Sequence, residues 1–285
     1  VNVFVGTSPH GQGEETTFAQ IVSDELGVPV EDIEIIHGDT DITPMGWGTY
    51  GSRTTVVGGA AVVLSARKIK EKGKALAAHL LEAAEEDIEY EDGKFFVRGS
   101  PDQNKTIQDI ALMANVAWNM PEGMEPGLEA TTFYDPPNFS YPFGAHVAVV
   151  SVDADNGHIV LQRYVAVDDC GRILNPLLVE GQQHGATIMG LSGTLFEHMV
   201  YDEYGQNLTG SLADYLIMTS AEVPEVEIIH MNTPNAHTPA GIKGMAEGGV
   251  MGSIGALSNA VSAPQIPQNN DPNVGSDNDQ KLILK

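Results

Sequence analysis

The chain has 285 residues, with 39 Asp or Glu and 14 Lys or Arg, a formal net charge of −25. A field of that sign repels phosphate backbones, which argues against a nucleic-acid-binding role, and no apolar run approaches the ~20 residues needed to cross a bilayer. A single cysteine, Cys170, excludes an internal disulfide framework, a thiolate zinc site and a cysteine-held iron–sulfur cluster within the chain.

In chain order, Thr16 to Leu26 reads as a helix: Phe18, Ile21, Val22 and Leu26 share one face, and Gly27 follows as a stop. Ile33 to His37 reads as a short strand. Val56 to Glu86 is a long helical stretch rich in Ala, Leu, Lys and Glu. Glu89 to Arg98 forms a hairpin turning at Asp92-Gly93. The Pro-rich stretch from Met120 to Phe143 is the best internal boundary, giving a first lobe over 1–130 and a second over 131–261. Ala145 to Val152 and His158 to Val167 alternate as two strands joined through Asp153-Ala154-Asp155-Asn156-Gly157. Leu177 to Leu195 and Val250 to Val261 read as helices, the latter with Val250, Ile254, Leu257 and Val261 on one face. Residues 262–285 are rich in Asn, Asp, Pro and Gln and read as a disordered tail. Mixed hairpins and helices without regular βαβ alternation indicate an α+β fold.

With 42% apolar residues the chain can fill a packed core. Its start lacks both Met and the features of a signal peptide, so it is expected to begin inside a longer protein. Only 14 basic residues favours a halophile-like cytoplasm, where salt screens self-repulsion, over a merely well-hydrated surface.

Glycine clusters mark four candidate loops. Gly11, Gln12 and Gly13 precede the first helix, where backbone N–H groups and the helix dipole favour an anion; a plain capping loop is equally compatible. Gly51, Ser52, Arg53, Thr54 and Thr55 open the long helix, and Ser52 or Thr54 would serve as its N-cap. Gln182 lies beside Gly181 as Gln12 lies beside glycines. Glu247, between Gly244 and Gly248, precedes an apolar helix, which suits either a general base or a simple first-turn acid. The nine histidines form no metal-ligand spacing, and no nucleophile elbow is present.

Taken together, GTSPHGQGEETTFAQIVSDELG, GDTDITPMGWGTYGSRTT, EPGLEATTFYDPPNFSYPFGAHVAV, DDCGRILNPLLVEGQQHG and IKGMAEGGVMGSIGALSNAV resemble the C-terminal part of the molybdenum-binding large subunit of the xanthine oxidase family. The likeness is to aerobic carbon monoxide dehydrogenase and aldehyde oxidoreductase large chains. It covers Val5 to Val261. The resemblance implies molybdenum carried by molybdopterin, as the cytosine dinucleotide, with no metal ligand from the protein. It implies cofactor contacts from the loops at Gln12, at Gly51 to Thr55, at Gln182 and around Gly244 and Gly248. It makes Glu247 the catalytic base that accepts a proton from the attacking oxygen. Carbon monoxide or an aldehyde is then oxidised in the cytoplasm. Electrons leave through iron–sulfur and FAD centres on small and medium partner subunits, in a dimer of heterotrimers. A copper, where the family uses one, belongs to a cysteine-bearing loop of the earlier half, and Cys170 does not match it. Two alternatives stay open: an aldehyde or aromatic-heterocycle hydroxylase, and a non-catalytic acidic assembly domain with the same fold.

Overall fold

Gly13 adopts a left-handed φ of 78° and so turns the chain directly into the first helix. That helix, α1 (Glu14–Leu26), buries Phe18, Ile21, Val22 and Leu26, the face that the periodicity predicts. It joins β1 (Asn2–Phe4) to β2 (Glu34–Ile36), which pair in parallel. The computed structural model describes residues 1–43, 45–117, 119–262 and 281–283.

The long helix begins with a π turn over Thr55–Gly59 and continues as α2 (Ala60–Leu80). It stops six residues short of the expected Glu86. Glu82 has a left-handed φ of 51°, and Glu85, Glu86 and Asp87 follow. Negative charges at a helix C-terminus oppose its dipole, so the acidic run leaves the helix instead of extending it. The expected hairpin is a three-stranded antiparallel sheet, β3 (Ile88–Glu91), β4 (Lys94–Val97) and β5 (Ser100–Thr106). A helix absent from the sequence reading follows, α3 (Ile107–Val116). Its capping box is explicit: Asp109 N–H donates to Thr106 Oγ1, and Thr106 N–H donates to Asp109 Oδ2. Phe18, Leu76, Phe95 and Ile110 are fully buried in this unit.

The second sheet has the order β8-β7-β6-β9. Its long pair is β6 (Phe143–Val152) and β7 (Ile159–Asp169), antiparallel with a bulge at Val149/Val150. β8 (Val226–Met231), also missed in the sequence, runs parallel to β7, and β9 (Lys281–Ile283) pairs with β6. Helices α4 (Pro176–Leu195) and α5 (Gly248–Ser262) pack on it through Leu191, Leu257 and Ala260, against Ala148, Val150, Tyr164, Ala166 and Val226. Pro176 occupies the first turn of α4, and Asn175 caps it by accepting the Leu178 N–H.

The expected face of α5 needs correction. Gly249, Ser253, Leu257 and Ala260 are buried, whereas Ile254 is 48% exposed. Small residues turn inward because α4 comes too close for a branched side chain: a Cβ on Gly190 would overlap Ser253 Oγ.

The chain divides into two units, Val1–Ser140 with Asn235–Ile242, and Tyr141–Pro234 with Lys243–Lys285. The division falls at 140/141, not 130/131, and 235–242 returns to the first unit, where Tyr134 Oη donates to the His237 carbonyl. Of the stretch read as a tail, Ser262 closes α5 and 281–283 form β9; the remainder lies outside the described residues. The α+β fold class holds.

Candidate functional site

Two sets of candidate residues lie in separate units. In the first, Gly11, Gln12 and Gly13 form the turn into α1. Gln12 is half-buried and its amide folds back on its own loop: Oε1 accepts the His10 N–H at 2.5 Å, and Nε2 lies 3.2 Å from His10 Nδ1. Gly51 and Ser52 both take left-handed φ values, 60° and 53°. For Ser52 this conformation is strained, of the kind concentrated at ligand-binding turns. Arg53 donates to Tyr50 Oη at 2.9 Å, its guanidinium 5.2 Å from the ring centroid. Thr54 and Thr55 lead into the π turn, itself a departure frequent at functional sites.

No side chain caps that helix start. Thr54 is buried, yet its hydroxyl lacks a well-formed hydrogen bond, as do Glu14 Oε2 and Thr7 Oγ1. Burial pushes the Glu14 carboxyl above its ordinary pKa, against the opposing pull of the neighbouring Thr54 hydroxyl and of His10 and His37. Thr7, Arg53 and Thr54 stand in the wall of a cleft of about 1420 Å³ whose remaining lining is largely apolar, including Val5, Val57 and Phe133.

In the second unit, Gly244, Glu247 and Gly248 lie on the loop entering α5. Glu247 is exposed, and its carbonyl accepts the Met251 N–H at 3.3 Å, so it sits at the helix N-terminus. The loop is anchored by Lys243. Its Nζ donates to Asp169 Oδ1 at 2.8 Å, lies 4.7 Å from the Phe143 ring centroid, and its N–H donates to the Cys170 carbonyl. Burial alone would raise the Asp169 pKa; Lys243 and the Thr233 and Gly171 N–H groups outweigh it and hold the carboxyl below its ordinary value. Cys170 is buried, and its thiol pKa is pushed up to about 11 by burial and by the Asp169 charge, so it stays protonated.

Gln182, singled out in the sequence, is half-buried on α4. Its neighbour Gln183 is fully buried: Nε2 donates to Asp168 Oδ2, while Oε1 has no partner. Thr187 Oγ1, one turn on, is also unpartnered. Gln183, Thr187, Gly190 and Leu191 are all buried at helical spacing, a period that marks Gln183 as inward-facing. Asp168 further accepts from His146 Nε2 at 2.9 Å, and His146 Nδ1 lies 2.7 Å from Tyr164 Oη.

Among the described residues, no group of three or more His, Cys, Asp or Glu is arranged to hold a metal ion. Each unit instead presents buried hydroxyl, amide or carboxyl oxygens without well-formed hydrogen bonds, and in the first unit the glycine turns at Gly11 and Gly51 leave open space around them. Those donors and acceptors fit a ligand with hydrogen-bonding edges, such as a pterin.

Residues 1–224 match the molybdopterin cofactor-binding domain. The chain belongs to that family. The carbon monoxide dehydrogenase large chain of Hydrogenophaga pseudoflava is 46% identical over 257 residues, 90% of this chain and 32% of that one. The nicotine 6-hydroxylase large subunit of Paenarthrobacter nicotinovorans is 38% identical over 270 residues, 94% and 33% of the two chains. A crystal structure of a Cu,Mo-CO dehydrogenase in its carbon monoxide reduced state superposes with a TM-score of 0.86 at 43% identity, over 90% of this chain and 32% of that chain. The chain thus spans about a third of the length of the relatives it matches. No helix among the described residues is long and apolar enough to cross a membrane.

Proposed function

We propose that this chain is the cofactor-binding part of a molybdenum hydroxylase large subunit, oxidising carbon monoxide or an aldehyde, with Glu247 as its base. The observation that carries the reading is the place of Glu247: an exposed carboxylate at the start of α5, on a loop pinned by a buried ion pair. An exposed carboxylate in that place can reach and accept a substrate-side proton. When bound, the molybdenum cofactor supplies an oxygen nucleophile derived from water and takes up the two electrons of substrate oxidation. In the first unit Gly11, Gln12, Gly13, Gly51, Ser52, Arg53, Thr54 and Thr55 would hold pterin and phosphate groups of the cofactor, as the cytosine dinucleotide. In the second unit the residues for such contacts would be Gln182, Gly244 and Gly248.

Electrons then leave through iron–sulfur and FAD centres on small and medium partner subunits, in a cytoplasmic dimer of heterotrimers. A copper would need a ligand other than Cys170, whose buried thiol stays protonated. Similarity to a nicotine hydroxylase supports a second reading, hydroxylation of an aromatic heterocycle. Metal and pterin analysis of the purified assembly, with turnover of carbon monoxide, benzaldehyde and quinoline compared, separates these readings. Stoichiometric molybdenum and pterin with turnover of one probe supports hydroxylase function; an assembly without either would make the chain a non-catalytic assembly domain.

A further inference from the structure

A buried polar cluster in the second unit lies under the start of α5, and the proposed catalysis does not use it. Asp168, 9% exposed, is the last residue but one of β7 and accepts two hydrogen bonds on Oδ2, from His146 Nε2 at 2.9 Å and from Gln183 Nε2. Tyr164 is fully buried, and its phenol pKa is raised by burial and by the Asp168 charge. The Asp168 carboxylate can only accept, so His146 Nε2 carries the proton aimed at it, and in the neutral imidazole Nδ1 accepts from Tyr164 Oη at 2.7 Å. The chain Tyr164–His146–Asp168–Gln183 thereby ties β6, β7 and α4 together.

The N-terminal turns of α5 rest on this chain through glycines. A Cβ on Gly248 would lie 3.5 Å from Asp168 Oδ1. On Gly249 it would meet Gln183 O at 2.8 Å, and on Gly252 His146 Nδ1 at 2.5 Å. From the other side, a Cβ on Gly144 would overlap Asp168 Oδ1. The carboxylate therefore fills the space between the start of β6 and the residue after Glu247. Apolar packing would hold two helices together without the desolvation cost of a buried carboxylate. What the polar chain adds is direction: each partner accepts one geometry.

We propose that Asp168, seated by His146 and Gln183, is a positioning residue for Glu247, fixing the backbone at Gly248, the residue that follows Glu247 into α5. The inference rests on the reading of Glu247 as the base. Its consequence is a loss of turnover without a loss of binding, because substrate and cofactor contacts are untouched while the base is misplaced.

The test uses the assembled, cofactor-loaded protein carrying Asp168→Asn, His146→Leu, His146→Gln, Tyr164→Phe or Glu247→Gln. Turnover is followed with carbon monoxide, benzaldehyde or quinoline and methylene blue as acceptor. Molybdenum content and hydrogen exchange of the 244–256 peptide are measured alongside. Asp168→Asn and His146→Leu are expected to lower kcat about 10- to 100-fold. KM and molybdenum content stay unchanged, and exchange speeds up in 244–256 but not in 60–80. His146→Gln, which retains an N–H for Asp168, is expected to recover most of the loss. Tyr164→Phe, isosteric in the core, costs about two- to tenfold. Retention of kcat within twofold by Asp168→Asn and Tyr164→Phe, with Glu247→Gln inactive, would overturn the positioning role alone. A parent that oxidises none of the probes, or a fully active Glu247→Gln, would overturn the base itself, and this inference with it.

Discussion

Lys243 Nζ lies 2.8 Å from Asp169 Oδ1, and both side chains are buried, at 8% and 0% exposure. The pair joins the end of β7 to the loop that carries Gly244, Glu247 and Gly248. Burying two charges is costly, but removing one partner costs more, because the other remains uncompensated. Lys243→Met should therefore destabilise the second unit by about 3–5 kcal/mol. A double variant, Lys243→Met with Asp169→Leu, should recover a large part of that. Thermal midpoints of the assembled protein compare the three. The Asp169 pKa is lowered in the fold, so its contribution is present above the ordinary value of 3.8 and is lost as pH falls through the lowered one. Parent and Lys243→Met should thus converge in stability in strong acid.

Glu14 has the opposite sign. Its pKa is raised, so its share of stability is full below the ordinary value of 4.5 and is lost as pH rises through the folded-state value. Glu14→Gln keeps the shape without the charge. It should raise the thermal midpoint at pH 7 and leave it unchanged near pH 4. An equal drop at both pH values would show that the carboxylate is needed for packing.

Much of the architecture is legible in the sequence because it follows from short-range pattern. The α1 face, the β6/β7 pair and a helix over 250–261, which the structure starts two residues earlier at Gly248, come from periodicity and glycine placement alone. What escapes depends on distant partners. β8 is specified by parallel pairing with β7 across α4 and the stretch 196–225, and β5 by its polar sequence adding to β4. The inward face of α5 is set by the close approach of α4, which turns Ser253 in and Ile254 out against their hydropathy. Among the site residues, Gln182 stood out by its glycine neighbour, whereas Gln183 is distinguished by burial and by Asp168, which lies fifteen residues earlier.

Thr54 tests the first-unit loop. Its hydroxyl is buried without a well-formed hydrogen bond. If it meets the cofactor, Thr54→Val should lower bound pterin and molybdenum, since an unpaired polar contact costs about 1–3 kcal/mol. Unchanged cofactor content in the variant would make the hydroxyl a structural feature only.

The net charge of −25 bears on conditions. Raising salt to 1 M shortens the Debye length to about 3 Å and screens the acidic surface. The thermal midpoint should rise steadily from dilute buffer to 1 M potassium chloride. A midpoint independent of salt would mean that the acidic surface imposes no appreciable self-repulsion.

The role of Glu247 is read most plainly from turnover and cofactor content of the assembled Glu247→Gln protein. The amide preserves size and hydrogen bonding but cannot accept the proton. Parental molybdenum and pterin content is expected, with turnover reduced by at least about 100-fold, the lower range for a positioned general base. A cofactor-loaded Gln variant with near-parental turnover would contradict it.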